Sequence, residues 1–197
     1  MSDQQSSRLV ILDRDGVINL DSDAYIKTLD EWIPVPGSIS AIARLSRAGY
    51  QIAVATNQSG LARGYFDEIT LANMHSLMRE LVEEEGGHID AVFYCPHGPD
   101  DGCKCRKPAT GLLDQIAEEL HIPVAGAWYV GDAEKDIELA TAMKCKPVLV
   151  RSGKGMKTEV RLKQKNSLPA LVFDDLAAAA DFILESPHNV RGKASDD

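Results

Sequence analysis

The stretch Leu9-Val10-Ile11-Leu12-Asp13-Arg14-Asp15-Gly16 decides the fold. Four consecutive apolar residues, with no polar residue alternating between them, suit a short strand buried on both faces, as in a parallel sheet covered by helices. Asp13 and Asp15 fall where that strand ends. In open α/β sheets, ligands bind beyond the carboxyl ends of the strands, so the pair stands where chemistry takes place. Two carboxylates this close repel unless a cation or a shared proton relieves them. One can serve as nucleophile or metal ligand and the other as acid/base. An ordinary turn explains the same residues, because Asp and Gly favour turns.

Working outward, short apolar runs alternate with helical stretches. Strands are expected over 8–12, 51–55, 91–94, 127–130, 147–150 and 171–173. Helices are expected over 38–48, 67–85, 110–120, 134–143 and 176–185, several of them bounded by Asp, Pro or Gly. This alternation implies βαβ units and a mostly parallel, three-layered α/β sheet. Residues 154–167 are polar and rich in Lys and Gln, and read as a surface segment. Residues 1–186 are expected to form one domain, with 187–197 as a flexible tail.

The chain has 197 residues, 44% hydrophobic and 26% charged, which suits one globular domain. A formal charge of -9 argues against nucleic acid and anionic membrane as partners, since both want a basic surface. No apolar run approaches the ~20 residues that span a bilayer, and Met1 to Ser7 lack the apolar core of a signal peptide. A cytoplasmic compartment is the expectation.

Three further motifs follow expected strands. Thr56-Asn57-Gln58-Ser59-Gly60 offers hydroxyls and backbone N–H groups for a phosphate cradle, or is a polar loop opening the next helix. Arg106-Lys107-Pro108 offers a compact ammonium for a phosphoryl group and a guanidinium fork for a second anion. Its alternative is a solvated basic pair. Gly131-Asp132 with Asp136 offers carboxylates for a hard cation such as Mg²⁺, which Asp13 and Asp132 can share if their strands are neighbours. Asp132 otherwise serves as a helix N-cap.

A fourth constellation is of another kind. Cys95-Pro96-His97 and Cys103-Lys104-Cys105 place three thiols and one imidazole within eleven positions. That set suits tetrahedral Zn²⁺ with all four positions taken by protein, hence a structural site that pins the loop between them. Cys145 stands apart and reads as a buried or half-buried thiol.

Asp-x-Asp, then Thr/Ser, then Lys, then Gly-Asp-x-x-x-Asp resembles the haloacid dehalogenase-like phosphohydrolase superfamily. The Cys/His loop and Cys105-Arg106-Lys107-Pro108 resemble, within it, the branch of heptose bisphosphate and histidinol-phosphate phosphatases. Residues 56–64 and Asn19-Leu20-Asp21 with Tyr25 are similar to its heptose members; the five residues between His97 and Cys103 are as few as in the histidinol-phosphate members. Ala133 stands where some heptose enzymes carry Lys.

The resemblance implies a Rossmann-like fold without a large cap and hydrolysis through a phospho-aspartate on Asp13. Asp15 would move the proton, with Thr56 and Lys107 holding the phosphoryl oxygens. Mg²⁺ would be held by Asp13, the main-chain carbonyl of Asp15, and Asp132, with Asp136 behind them. Zn²⁺ would sit on Cys95, His97, Cys103 and Cys105. The substrate would be a sugar bisphosphate of lipopolysaccharide-core heptose synthesis, dephosphorylated at its 7-position. It would contact Asp21, Tyr25, Asn57, Gln58, Ser59, Arg63 and Arg106 besides Thr56 and Lys107. A monomer is expected. Histidinol phosphate is the nearest alternative substrate, and a non-catalytic zinc module the alternative of another class.

Overall fold

The computed structural model describes residues 8–186; the expected tail over 187–197 and the segment 1–7 lie outside the described residues. Six strands form one sheet: β1 (Leu9–Leu12), β2 (Gln51–Asn57), β3 (Ala91–Cys95), β4 (Trp128–Gly131), β5 (Lys146–Val150) and β6 (Leu171–Phe173). Their order is β3-β2-β1-β4-β5-β6, and every pairing is parallel. The helices are α1 (Ser38–Arg47), α2 (Glu68–Glu84), α3 (Gly111–Leu120), α4 (Glu134–Ala142), α5 (Gly155–Gln164) and α6 (Leu176–Glu185).

The apolar run at the start of the chain works because successive side chains on a strand face opposite sides. Val10 and Leu12 enter one layer with Ile42 and Leu45 of α1, Met74 and Met78 of α2, and Ile183 of α6. Leu9 and Ile11 enter the other with Leu113 and Ile116 of α3 and Leu139 of α4. All four are fully buried, each worth about 2 kcal/mol of apolar burial. Helix starts are fixed by the local sequence: Asp67 accepts from the Thr70 N–H at 2.8 Å, and Asp175 from the Ala178 N–H at 2.9 Å.

Residues 154–167, read as a polar surface segment, are largely exposed, but they also contain α5, a helix not expected from the sequence. Only Gly155, Thr158 and Leu162 of that helix are buried, and Leu162 packs on Ile137 and Leu149. A stripe so narrow, among so many charged and polar residues, leaves almost no helical periodicity to detect.

The chain winds β1, β2, β3 toward one edge and then crosses to β4 on the far side of β1. The strand order therefore reverses beside β1, and the crevice at a doubly wound sheet's reversal is where ligands bind. The β1–α1 connection adds no cap domain. It is anchored through buried Val17, Ile18, Ile26, Trp32 and Val35, and bridged from Asn19 to Asp15 and Pro34.

Candidate active site

Leu12 pairs with Val130, and the Asp13 N–H donates to the Val130 carbonyl at 2.9 Å. Neighbouring strands thus deliver Asp13 and Asp132 side by side. The carboxyl end of β2 delivers Thr56, and the loop after β3 folds back to deliver Lys107. Lys107 is buried, and its ammonium meets Asp13 Oδ1 at 2.8 Å, Asp136 Oδ1 at 2.7 Å and the Ala55 carbonyl at 2.8 Å. Three acceptors match its three hydrogens.

Asp136 reaches this point from the first turn of α4. Its other oxygen closes on the Ala133 N–H at 3.1 Å, so Ala133 is the N-cap of α4. Asp132 is therefore free of the capping role open to it from sequence. Its Oδ2 accepts the Lys154 N–H at 2.7 Å. Two glycines make room for that oxygen: a Cβ on Gly16 would lie 2.1 Å from it and one on Gly153 2.3 Å, and both residues have positive φ.

Three buried carboxylates crowd together, and the Lys107 ammonium contacts two of them, Asp13 and Asp136. Candidate ligand oxygens of Asp13, Asp132 and Asp136 all lie within 4.8 Å of one another. Burial, then Asp136, pushes Asp13 up to about 6 in spite of Lys107. Burial, then Asp13 and Asp136, pushes Asp132 up to about 8. Burial would raise Asp136 too, but Lys107, Lys135 and its hydrogen bonds from Lys107 and the Ala133 N–H together lower it. The site is short of positive charge and offers only oxygen ligands, the donor set of a hard divalent cation.

Asp15 stands apart from that cluster, with its side chain turned to donors. Asn19 Nδ2 donates to its Oδ1 at 2.9 Å and Gln58 Nε2 to its Oδ2 at 2.9 Å; Arg14 forks both oxygens. Burial would raise its pKa, but the Arg14 guanidinium and these hydrogen bonds hold it below the usual carboxylate range.

A cavity of about 230 Å³ opens above these groups, with Asp13, Asp15 and Asp132 lining it. Asp21 and Tyr25 form one wall, and Thr56, Asn57, Gln58 and Ser59 another, with Arg106 beside them. Lys107 lies buried beneath the floor. Arg63 is exposed and does not line the cavity.

Beyond β3 the second constellation closes up. Cys105 Sγ lies 3.2 Å from Cys95 Sγ and 3.6 Å from Cys103 Sγ, and His97 Nδ1 lies 3.3 Å from Cys105 Sγ and 3.6 Å from Cys95 Sγ. Zn²⁺ bonds of about 2.0–2.3 Å in a tetrahedron imply edges of about 3.5–3.8 Å, close to this arrangement. All four cysteines are free, and burial pushes Cys95 up to about 12, a cost that a bound cation removes. Cys145 is buried as expected and donates to the Val124 carbonyl.

Residues 104–179 match the HAD-hydrolase-like family model. A D-glycero-β-D-manno-heptose-1,7-bisphosphate 7-phosphatase of Pseudomonas aeruginosa is 59% identical over 180 residues, spanning 91% of this chain and 99% of that protein. The chain belongs to the heptose bisphosphate phosphatase family. The family's Bordetella bronchiseptica member is 49% identical over 90% of this chain and 98% of its own length. The crystal structure of the B. bronchiseptica D,D-heptose 1,7-bisphosphate phosphatase, complexed with magnesium and phosphate, superposes with a TM-score of 0.83 over 89% of this chain and 97% of that one. The corresponding Burkholderia thailandensis phosphatase, 40% identical, gives 0.68 over 90% and 98%.

As a family member the chain is a phosphoric monoester hydrolase of the haloacid dehalogenase-like superfamily. Among the lining residues of this phosphatase that escaped the sequence reading are two lysines. Lys135 and Lys154 both border the cavity. Lys154 also meets Asp21 Oδ2 at 3.0 Å, tying the wall to the loop that holds Asp132. Lys135 had a faint signal in its place between Asp132 and Asp136. Lys154 had none, because it lies in the segment whose helix was missed.

Proposed function

We propose that this chain removes the 7-phosphate of D-glycero-D-manno-heptose 1,7-bisphosphate through a phospho-aspartate on Asp13, in heptose synthesis for the lipopolysaccharide core. One observation carries the reading: Asp13 is locked at the sheet's reversal point between Lys107 and an oxygen-only cluster with Asp132. The activities of its relatives supply the substrate, and magnesium and phosphate in the Bordetella structure support the choice of cation. The described residues act as one domain, and the enzyme works as a cytoplasmic monomer.

The residues divide the reaction between them. Asp13 Oδ1 is held by the Arg14 N–H at 2.7 Å and by Lys107, which leaves Oδ2 as the attacking atom. As the Asp13–phosphorus bond forms and the sugar–oxygen bond to phosphorus breaks, Asp15 gives a proton to the leaving oxygen. It then takes one from the water that cleaves the phospho-aspartate. Thr56 faces the phosphoryl oxygens as their charge redistributes, and Lys107 would reach them by giving up one of the three acceptors it now holds. Asp13, the Asp15 carbonyl and Asp132 would hold Mg²⁺, with Asp136 behind Lys107. The cation supplies the charge that lets an anionic nucleophile meet a phosphate dianion.

Arg106 anchors the second phosphate, with Ser59 beside it. Arg106→Ala is expected to raise KM for the bisphosphate about 10–100-fold, the worth of a charge-assisted hydrogen bond. KM for a simple monophosphate should barely move. Steady-state kinetics on both substrates decide, and equal effects would remove the anchor. Histidinol phosphate would instead want a carboxylate for its ammonium; at the wall Asp21 is paired with Lys154 at 3.0 Å, and the exposed Asp23 lies 3.9 Å from the same ammonium. Side-by-side turnover of the α- and β-heptose bisphosphates and histidinol phosphate tests the substrate directly.

Zn²⁺ on Cys95, His97, Cys103 and Cys105 holds the wall that carries Arg106, whose Nη1 donates to the His97 carbonyl at 3.2 Å. Cys103→Ser is expected to lose the metal and lower the melting temperature by several degrees, while kcat on a monophosphate falls less than tenfold. Elemental analysis of the purified wild type should return about one zinc per chain; none would refute the site.

A further inference from the structure

The Arg14 side chain carries no step of the chemistry above, yet it is among the most buried large side chains of the protein, 1% exposed. A buried guanidinium survives only where its donors are met. Its Nε and Nη2 meet Asp15 Oδ1 at 3.1 and 2.8 Å, and Nη2 also reaches Asp15 Oδ2 at 3.1 Å and Gln58 Oε1 at 3.2 Å. Its remaining arm, Nη1, points away from the cavity to His75 Nε2 at 3.5 Å.

His75 is a second buried group without a role in the reaction. It projects from the middle of α2, with Tyr94 of β3 against its ring at 5.9 Å between centroids. A guanidinium can only donate, so Nε2 must accept and the proton must sit on Nδ1. Burial and Arg14 both hold the ring neutral, with its pKa near 3. The neutral ring gives Arg14 a backstop without a second cation. The line His75–Arg14–Asp15 thus runs from a rigid helix to the carboxylate at the cavity.

We propose that His75 and Arg14 are positioning residues for the acid/base carboxylate: the ring fixes the guanidinium, and the guanidinium fixes Asp15 toward the substrate. This rests on Asp15 being the acid/base of the proposed reaction. A planar fork sets both the distance and the plane of a carboxylate, and small misplacements of a proton donor cost rate rather than binding.

The test uses a sugar phosphate and p-nitrophenyl phosphate. p-Nitrophenolate departs without a proton, so Asp13 is phosphorylated by the aryl ester without help from Asp15. Hydrolysis of the phospho-aspartate still needs Asp15 to take the water's proton as the Asp13–phosphorus bond breaks. His75→Leu, which fills the space but cannot accept, should lower kcat on the sugar phosphate about tenfold with KM unchanged. With the aryl ester it should give a first-turnover burst at the wild-type rate, followed by slow turnover. His75→Gln restores an acceptor and should return kcat to within about twofold. Arg14→Lys keeps the buried charge but loses the fork, and should reproduce the burst pattern even if His75→Leu does not fold. A burst slowed together with steady state, or kcat unchanged in both variants, overturns the proposal. An Asp15→Ala enzyme with full turnover of the sugar phosphate would instead overturn the acid/base reading itself.

Discussion

Replacing Asp13 with Asn is expected to lower phosphate release by about 10⁴-fold or more while the fold stays intact. The carboxamide keeps the shape and can still accept from the Arg14 N–H and from Lys107, but its nitrogen is no nucleophile. Stability should not suffer. Asp13 sits in the folded protein with its pKa raised to about 6 by burial and by Asp136. Because the folded-state pKa lies above the unfolded value, ionisation opposes folding increasingly as pH rises past the unfolded pKa. Removing that charge relieves the crowding, so in chelator at neutral pH the variant's melting temperature should equal or exceed the wild type's. Phosphate-release kinetics and differential scanning calorimetry check the two halves. Appreciable residual turnover would remove Asp13 as nucleophile; a large loss of stability would mean that the carboxylate ties the strands together.

Lys107→Met is expected to damage both stability and rate. The ammonium is completely enclosed and neutralises Asp13 and Asp136 at 2.8 and 2.7 Å. Taking one partner out of a buried ionic group leaves uncompensated charge, at a cost of about 3–5 kcal/mol. In a domain this size that is a fall of about 6–20 °C in melting temperature. Loss of a phosphoryl-facing cation should cost a further 10²–10³-fold in kcat, on the order of one removed transition-state donor. The double variant Lys107→Met with Asp136→Asn should recover much of the stability and none of the activity. That separation distinguishes the electrostatic tie from the chemistry. A Lys107→Met enzyme with wild-type melting temperature would show that the three groups are not a mutual support.

The core of this site was legible because each part comes after an apolar strand. Residues 9–12 are buried on both faces, so their pattern is unbroken, and the residues just past a strand of a parallel sheet lie at its carboxyl edge. Asp13, Thr56 and Asp132 could thus be assigned to one edge from sequence alone, whereas Lys107, well past the end of β3, reaches that edge because the loop folds back. The neighbourhood of β1 and β4 could not be read from local pattern, yet it brings Asp13 and Asp132 together. The capping question at Asp132 needed the structure too, since the Asp136 carboxylate closes on the Ala133 N–H and makes Ala133 the N-cap. Lys154 and α5 were hidden because a helix with one buried leucine shows little periodicity. Arg63, expected near the substrate, is exposed and does not line the cavity. Gln58, expected as a substrate contact, also bridges Asp15 and Thr56, its Nε2 donating to Thr56 Oγ1 at 2.9 Å.

The most direct measurement is ³¹P NMR of D-glycero-D-manno-heptose 1,7-bisphosphate incubated with the purified enzyme, with Mg²⁺ and with chelator. The account predicts that, with Mg²⁺ only, the resonance of the 7-phosphate gives way to inorganic phosphate while the 1-phosphate persists. Loss of the 1-phosphate, or no release in Mg²⁺ by an enzyme that readily hydrolyses histidinol phosphate, would contradict it.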